Sequence, residues 1–173
     1  MIGHEFTPVF VMGSARSGTT MVSHIISSSQ KFAKYHAETL ILNVCKQKYG
    51  NIFLSPQKRR LFLSDWIRSR QFRESHLTEI AFTKIVENST SYENLLINFL
   101  STIAESQGCS HIVDSTPGNA KHLMHINSKC KSSKFINIIR DGRDVALSQA
   151  KLNWSKPPAP FKSNNSKLHY AMV

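Results

Sequence analysis

The sequence has few cysteines, no long apolar run and few acidic residues, and each shortage excludes a class of protein. Cys45, Cys109 and Cys130 are widely spaced and include no CxxC pair, so neither a disulfide framework nor a cysteine zinc site is indicated. No apolar run approaches the roughly 20 residues that cross a bilayer, and residues 1–8 show no signal-peptide pattern. We therefore expect a soluble, cytoplasmic protein without a membrane span.

The shortage of acidic residues leaves 22 lysines and arginines against 11 aspartates and glutamates, a net charge of +11. Such an excess attracts nucleic acid, an acidic membrane surface or a phosphorylated ligand, although a solvated basic surface explains the charge equally well. Lys58, Arg59 and Arg60, for example, are expected on the outer face of a helix. The 173 residues, 40% of them hydrophobic, are enough for one domain with a real core.

Short apolar runs alternate with segments of helical periodicity along the chain. Strands are predicted at residues 9–12, 32–35, 111–114 and 135–139, and the stretch from residue 56 to 107 is predicted to be helical. Gly108 suits the C-terminal end of the last helix in that stretch. This order predicts an α/β protein with three α/β/α layers, a parallel sheet and a helical middle segment.

A glycine loop follows the first strand and leads into a helix. This phosphate loop (residues 13–20) has glycines at Gly13 and Gly18, an arrangement in which backbone N–H groups converge on an anion. It fits the pattern G-x-x-x-x-G-K-[ST] except that Thr19 stands at the lysine position. The loop makes the fold P-loop-like, but the missing lysine argues against an NTPase. A tight turn with incidental glycines is the structural alternative.

The residues Arg16-Ser17-Gly18-Thr19-Thr20 resemble the 5′-phosphosulfate loop of the sulfotransferases, in the arginine form of the tyrosylprotein, carbohydrate-type and bacterial enzymes. The resemblance implies that the chain binds the nucleotide sulfate donor PAPS and releases PAP, without a metal. It also implies which residues hold the 5′-phosphate and the sulfate, with Arg16 acting in catalysis as well: Arg16, Ser17, Gly18, Thr19 and Thr20.

A second segment (residues 134–148, the Arg140 segment) is similar to the 3′-phosphate segment of the same family. There an arginine ends a buried strand and a serine follows eight residues later, which is the spacing of Arg140 and Ser148. An arginine can clamp a phosphate with two charge-assisted hydrogen bonds. The alternative for Arg140 is an ion pair with Asp141 or Asp144, and Arg143 is expected to contact a carboxylate or the sheet edge.

Sulfuryl transfer needs a general base, and Glu38 is the candidate because tyrosylprotein-type enzymes carry a glutamate followed by threonine at nearly this place. A surface or helix-capping role is the alternative for Glu38, and His36 is the second candidate base. Many relatives carry a lysine at the position of Ser115, so the serine suffices, Lys121 or another cation replaces it, or catalysis is weak. Asp114 could mimic the Mg²⁺-binding aspartate of NTPases.

Together these features predict a sulfotransferase that moves a sulfuryl group from PAPS to a hydroxyl or amine of an acceptor that the sequence does not identify. A P-loop-like kinase or NTPase, and a basic polyanion-binding module, are the alternatives; nucleic acid is not the expected partner. Residues 1–173 are interpreted as one domain, incomplete at its C-terminus if it is a fragment, with residues 155–173 as a loop or flexible tail. A lumenal enzyme that has lost an anchor is the alternative to a cytoplasmic one.

Overall fold

Four parallel strands form the sheet in a computed structural model, which describes residues 5–151 of the chain. The strands lie in the order β2-β3-β1-β4, and all three neighbouring pairs are parallel. The predicted α/β class with a parallel sheet is therefore confirmed. The strand bounds are β1 Thr7–Gly13, β2 Phe32–Ala33, β3 His111–Asp114 and β4 Lys134–Ile138.

Alternating residues of the strands supply the two sides of the sheet with separate apolar layers. Val9, Val11 and Val113 form a small cluster, which helix α1 (Thr19–Ser27) covers. Phe10 and Ile112 belong to the large cluster on the opposite face. That face packs against the helical middle segment, so the layers are helix, sheet and helices.

The helical middle segment begins earlier than the predicted residue 56: a π-helical turn at Ile41–Cys45 comes first, and five α-helices follow it before β3. Its core is aromatic: the rings of Trp66 and Phe82 stack with their centroids 5.6 Å apart, and Phe99 meets both edge-on. Side-chain hydroxyls cap the N-termini of the last four of these helices. The helices are α2 Lys46–Tyr49, α3 Pro56–Ile67, α4 Arg70–Ser75, α5 Glu79–Glu87 and α6 Tyr92–Ser106.

Gly108 ends α6 as predicted. Its φ angle is +66°, its N–H donates to Glu105 O at 3.0 Å, and the N–H of Cys109 donates to Ala104 O at 2.9 Å. These two bonds form a Schellman motif, in which a left-handed residue satisfies carbonyls that the helix end leaves free. The chain can therefore turn directly from α6 into β3.

The second strand is shorter than predicted, and its end has a visible cause. The Lys34 N–H donates to Gln107 Oε1 at 2.7 Å, and Gln107 Nε2 donates to Lys34 O at 3.1 Å. A glutamine side chain thus replaces the neighbouring strand as the partner of the Lys34 backbone. Residues 34 and 35, which the prediction included in the strand, instead begin a loop that leads to Glu38.

Other details also differ from the pattern in the sequence. In α1 the buried line is polar, because Ser23 and Ser27 face inward, whereas Met21 and Ile25 are exposed. The fourth strand ends one residue early, and Ile139 is 88% exposed. Helical periodicity located these elements correctly, but it does not state which face a small polar residue takes.

After β3, a 3₁₀ turn (Pro117–His122) and α7 (Leu123–Lys129) lead to β4, and α8 (Gly142–Ala150) follows it. The predicted tail at residues 155–173 lies outside the described residues, and the single-domain interpretation of residues 1–173 stays a prediction. Within residues 5–151, none of the helices has the length and apolar character needed to cross a membrane.

Candidate functional site

The carboxyl ends of the parallel strands meet at one edge of the sheet, where three loops of interest lie side by side. In the order β3-β1-β4, the phosphate loop after β1 lies between the loop after β3 and the Arg140 segment. In open α/β sheets ligands bind outside this edge. The strand order therefore brings the predicted motifs together although they are far apart in sequence.

The phosphate loop has the backbone of an anion-binding turn. Gly18 is the N-terminal cap of α1 with φ +105°, and Arg16 is left-handed with φ +75°, a strained conformation for a residue with a Cβ atom. The Ser17 N–H donates to Ser14 O at 3.0 Å, closing the turn. The N–H groups of the first turn of α1 have no intrahelical acceptor and favour an anion.

Gly13 and Ser17 meet inside this loop. A Cβ atom at Gly13 would lie 2.7 Å from Ser17 Oγ and 2.8 Å from the carbonyl oxygen of Ile138, so only glycine fits without movement. The Ser17 hydroxyl is buried and has no hydrogen-bond partner within residues 5–151. An unsatisfied buried hydroxyl costs free energy, and an oxygen of a bound phosphate would remove that cost, so the loop fits a phosphate group.

The Arg140 segment lies directly against the phosphate loop. Arg16 Nε donates to Ser148 Oγ at 3.1 Å, and Arg140 Nη1 donates to Arg16 O at 3.3 Å. Gln149 Nε2 adds a third contact, to Ala15 O at 3.1 Å. These three contacts bring the two predicted phosphate-binding segments together on one surface.

The ion pairs expected as alternatives are also present. Arg140 lies 3.7 Å from Asp144, and Arg143 lies 2.6 Å from Asp141, as expected for Arg143. The Arg140 pair is long and both side chains are about half exposed, so it stabilises the arginine only weakly. Arg140 therefore keeps donors for a ligand, whereas Arg143 is engaged by its neighbour.

On the other side of the phosphate loop lies a cavity of about 650 Å³, here named the Glu38 cavity. It begins at Thr20 and passes between α1, the loop after β2 and the start of α4. Four of its lining residues were singled out from the sequence, namely Thr20, His36, Glu38 and Ser115. Its other polar lining residues are Ser23, His24, Ser27, Tyr35, Arg70 and Gln71.

Asp114 holds the loop of residues 34–40, here named the Glu38 loop, in place through Thr39, the residue that follows Glu38. The Asp114 carboxylate is 2% exposed and accepts hydrogen bonds from the hydroxyls of Thr39 at 2.8 Å and Thr116 at 2.6 Å. Asn119 Nδ2 donates to it at 2.7 Å, and the Thr39 N–H donates to Thr116 Oγ1 at 2.8 Å. Burial raises the pKa of Asp114, and the hydrogen bonds from Thr116 and Thr39 counteract that rise.

Glu38 itself is exposed, but the walls of its cavity remove part of its hydration. This desolvation, and then the charge of Asp114, raise the pKa of Glu38. The backbone just beyond is strained, with Leu40 left-handed at φ +55°, and it leads into the π-helical turn. A carboxylate with a raised pKa at a cavity wall is suited to accept a proton.

Four polar residues of the cavity were not predicted from the sequence, namely Tyr35, His24, Arg70 and Gln71. Arg70 and Gln71 lie at the start of α4 in the helical middle segment, where the sequence indicates helix and nothing more. Lys121, a candidate replacement for the missing lysine, is exposed in the 3₁₀ turn and does not line the Glu38 cavity, whereas Arg70 does. Within residues 5–151, no group of three or more histidine, cysteine, aspartate or glutamate side chains is arranged to hold a metal ion.

A family model described as the sulfotransferase family matches residues 8–171, most of the chain. No curated protein matches the chain. The matched range includes the phosphate loop, the Glu38 loop and the Arg140 segment.

Proposed function

The chain belongs to the sulfotransferase family, and we propose that it transfers a sulfuryl group from PAPS to a hydroxyl or amine of an acceptor. One observation supports this most: Arg16 of the phosphate loop contacts Ser148 of the Arg140 segment at 3.1 Å. A site for a single phosphate would not need both segments. A nucleotide with phosphates at both the 5′ and the 3′ position gives each segment a group to bind.

On this proposal the donor binds along the edge of the sheet. The N–H groups of the phosphate loop, the Ser17 hydroxyl and Arg16 hold the 5′-phosphosulfate, while Arg140 and Ser148 hold the 3′-phosphate. ATP and ADP have no 3′-phosphate, so they would forgo the charge-assisted hydrogen bonds that Arg140 can donate to one, which contribute about 1.5–3 kcal/mol. The proposed site therefore prefers PAPS and PAP to adenine nucleotides without that group.

The acceptor lies in the Glu38 cavity, which begins at Thr20 on the far side of the same loop. Bound PAPS supplies the sulfuryl group and a phosphate leaving group. Glu38 takes the proton of the acceptor hydroxyl or amine as the acceptor oxygen or nitrogen bonds to sulfur and the bond from sulfur to the phosphate oxygen breaks. Arg16 and the loop N–H groups stabilise the negative charge on that departing oxygen.

Asp114 acts on this step indirectly, through the position and the pKa of Glu38. Its hydrogen bonds to Thr39 and Thr116 hold the loop that presents Glu38, and its charge helps to raise the pKa of Glu38. An aspartate at this strand end would bind Mg²⁺ in an NTPase. In this chain its oxygens already accept four hydrogen bonds from protein groups.

The test is calorimetric titration of the purified chain with PAP, and with ADP as the matched ligand that lacks the 3′-phosphate. We expect PAP to bind in the micromolar range, and at least about tenfold more tightly than ADP, because one charge-assisted contact of about 1.4 kcal/mol gives that factor. Equal affinity for the two nucleotides, or tighter binding of ADP, would contradict the proposal. Hydrolysis of ATP with Mg²⁺ would favour the NTPase alternative.

A further inference from the structure

Three polar side chains that line the Glu38 cavity, Tyr35, Arg70 and Gln71, have no part in the proposed reaction. None of the three lies in the phosphate loop or the Arg140 segment. Their chemistry indicates what the acceptor carries in addition to the hydroxyl or amine that reacts.

Tyr35 brings a hydroxyl that lacks a partner. The residue is 5% exposed, and its hydroxyl oxygen has no hydrogen-bond partner within the described part of the chain. Its ring packs edge-on against Phe99 with the centroids 5.8 Å apart, so the side chain is fixed in place. An unsatisfied buried donor is costly, and an oxygen of a bound molecule would satisfy it.

Arg70 brings a positive charge that is only weakly neutralised. Its Nε lies 3.6 Å from Glu74 one helical turn later, and its side chain is 67% exposed. An exposed pair at that distance contributes little and exchanges readily for another anion. The guanidinium can form two parallel hydrogen bonds with a carboxylate, sulfate or phosphate.

We propose that the acceptor carries an anionic group, which Arg70 binds while the Tyr35 hydroxyl donates a hydrogen bond to the same molecule. This inference rests on the proposed function, because it assigns the acceptor of that reaction. Glu38 then faces the reacting hydroxyl or amine, and Arg70 faces the anion, so two opposite charges that line the same cavity fix the orientation of the acceptor. A neutral acceptor would leave Arg70 without a ligand.

The Tyr35 hydroxyl is neutral in this arrangement and keeps the proton that it donates. Burial, followed by the charges of Asp114 and Glu74, raises the pKa of Tyr35, and the nearby charge of Arg70 counteracts this in part. The phenol therefore stays protonated at neutral pH, and its proton is available to an acceptor oxygen.

The experiment measures binding of small probes to the chain saturated with PAP. Three pairs are titrated, each a hydroxylated carboxylate and its neutral amide: para-hydroxyphenylacetate, lactate and glucuronate. The variants are Arg70→Gln, Tyr35→Phe and Arg60→Gln. Arg60 is an exposed arginine of α3 that does not line the Glu38 cavity, so Arg60→Gln controls for the loss of one positive charge.

We expect the carboxylate of at least one pair to bind about tenfold or more tightly than its amide, the factor that one charge-assisted contact gives. Arg70→Gln should abolish this preference, Arg60→Gln should retain it, and Tyr35→Phe should weaken both members of the pair. The PAP affinity of every variant should stay within about twofold of the wild-type value, a change well below one contact, which also shows that the variants fold.

Three results would overturn the inference: no preference for the carboxylate in any pair, a preference that survives Arg70→Gln, or an equal loss in Arg60→Gln. The PAP titration separates the two proposals. If PAP binds but the carboxylates have no advantage, only the inference about the acceptor fails. If PAP itself does not bind, the proposed function fails and takes this inference with it.

Discussion

Arg140 and Arg143 are three residues apart, but their surroundings differ. Arg140 reaches the phosphate loop and has a loose partner at 3.7 Å, whereas Arg143 is paired at 2.6 Å. We expect Arg140→Ala to weaken PAP binding by about 10- to 100-fold, since a hydrogen bond to a charged group contributes about 1.5–3 kcal/mol. ADP binding should change little. Calorimetric titration of both nucleotides measures this.

Arg143→Ala is the matched control, because it removes the same charge from the same segment. Its PAP affinity should stay close to the wild-type value. Equal PAP affinity in Arg140→Ala and wild type would contradict the assignment of the 3′-phosphate. Equal losses in both variants would instead indicate a general effect of charge.

Glu38 differs from Arg140 in that it should affect turnover and not donor binding. When turnover is measured as formation of the sulfated acceptor, Glu38→Gln should lower kcat by about 10²–10⁴, the range for a general base. The affinity for PAP should not change. The pKa of Glu38 is raised above its ordinary value of 4.5, so the base form is lost as pH falls through this raised pKa. The wild-type kcat should therefore decline on the acid side at a pH above 4.5, and a pH–rate profile measures it.

His36→Asn is the control for this assignment, because His36 lines the same cavity and is the second candidate base. It should retain most of the wild-type turnover. If His36→Asn abolishes turnover and Glu38→Gln does not, the histidine is the base and the proposed role of Glu38 is wrong.

The contrast between Arg16 and Arg70 explains how much of the site could be predicted from the sequence. Arg16 and Ser148 each belong to a local pattern with fixed spacing, so the sequence singles them out without knowledge of the fold. Arg70 and Tyr35 reach the Glu38 cavity because α4 and the loop after β2 pack next to α1. No local pattern encodes that packing, so these residues emerged only from the structure.

Gly13 and Gly108 both lie at the end of a strand or helix, but glycine is needed at each for a different reason. Gly13 lies where a Cβ would meet a serine hydroxyl and a backbone carbonyl within 2.8 Å, whereas Gly108 has open space and a φ of +66°. We expect Gly13→Ala to lower the free energy of unfolding by about 1–3 kcal/mol through overpacking. It should also weaken PAP binding, because Ser17 and the loop must move.

Gly108→Ala is the comparison. Its left-handed backbone should cost about 1–2 kcal/mol of unfolding free energy, but the site is at the end of α6 and PAP affinity should not change. Urea denaturation gives the stability of each variant and calorimetry the affinity. Unchanged PAP binding in Gly13→Ala would mean that the loop does not hold the phosphate in the manner proposed.

Most strands and helices could be predicted from apolar periodicity, and the C-terminal end of α6 could be predicted from Gly108. The predictions about strands and helices that were wrong share one physical cause. The second strand ended early because Gln107, 73 residues away, takes over the Lys34 backbone. In α1, Ser23 and Ser27 line the Glu38 cavity while Met21 is left exposed. Both outcomes depend on partners distant in sequence, which periodicity does not describe.

The molecule as a whole carries a net charge of +11, which attracts any polyanion and does not by itself indicate a nucleotide site. A module that binds DNA or another polyanion through such charge would lose affinity steeply with salt. For 6–10 phosphate contacts the loss is about 10³–10⁵ between about 50 and 200 mM salt. It would also have no reason to distinguish PAP from ADP.

The proposed nucleotide site depends instead on contacts within hydrogen-bond distance, which are much shorter than the Debye length of about 8–10 Å at about 0.10–0.15 M salt and are therefore screened less. We expect PAP to remain at least about tenfold tighter than ADP at both about 50 and 200 mM salt, a margin of one charge-assisted contact.

Binding of a DNA duplex, where it occurs, should weaken far more over the same range. Titrations of PAP, ADP and the duplex at both concentrations measure this. A preference for PAP that disappears at the higher concentration would assign the binding to the overall charge, since the specific pairing of Arg140 and Ser148 with a 3′-phosphate would then contribute nothing measurable.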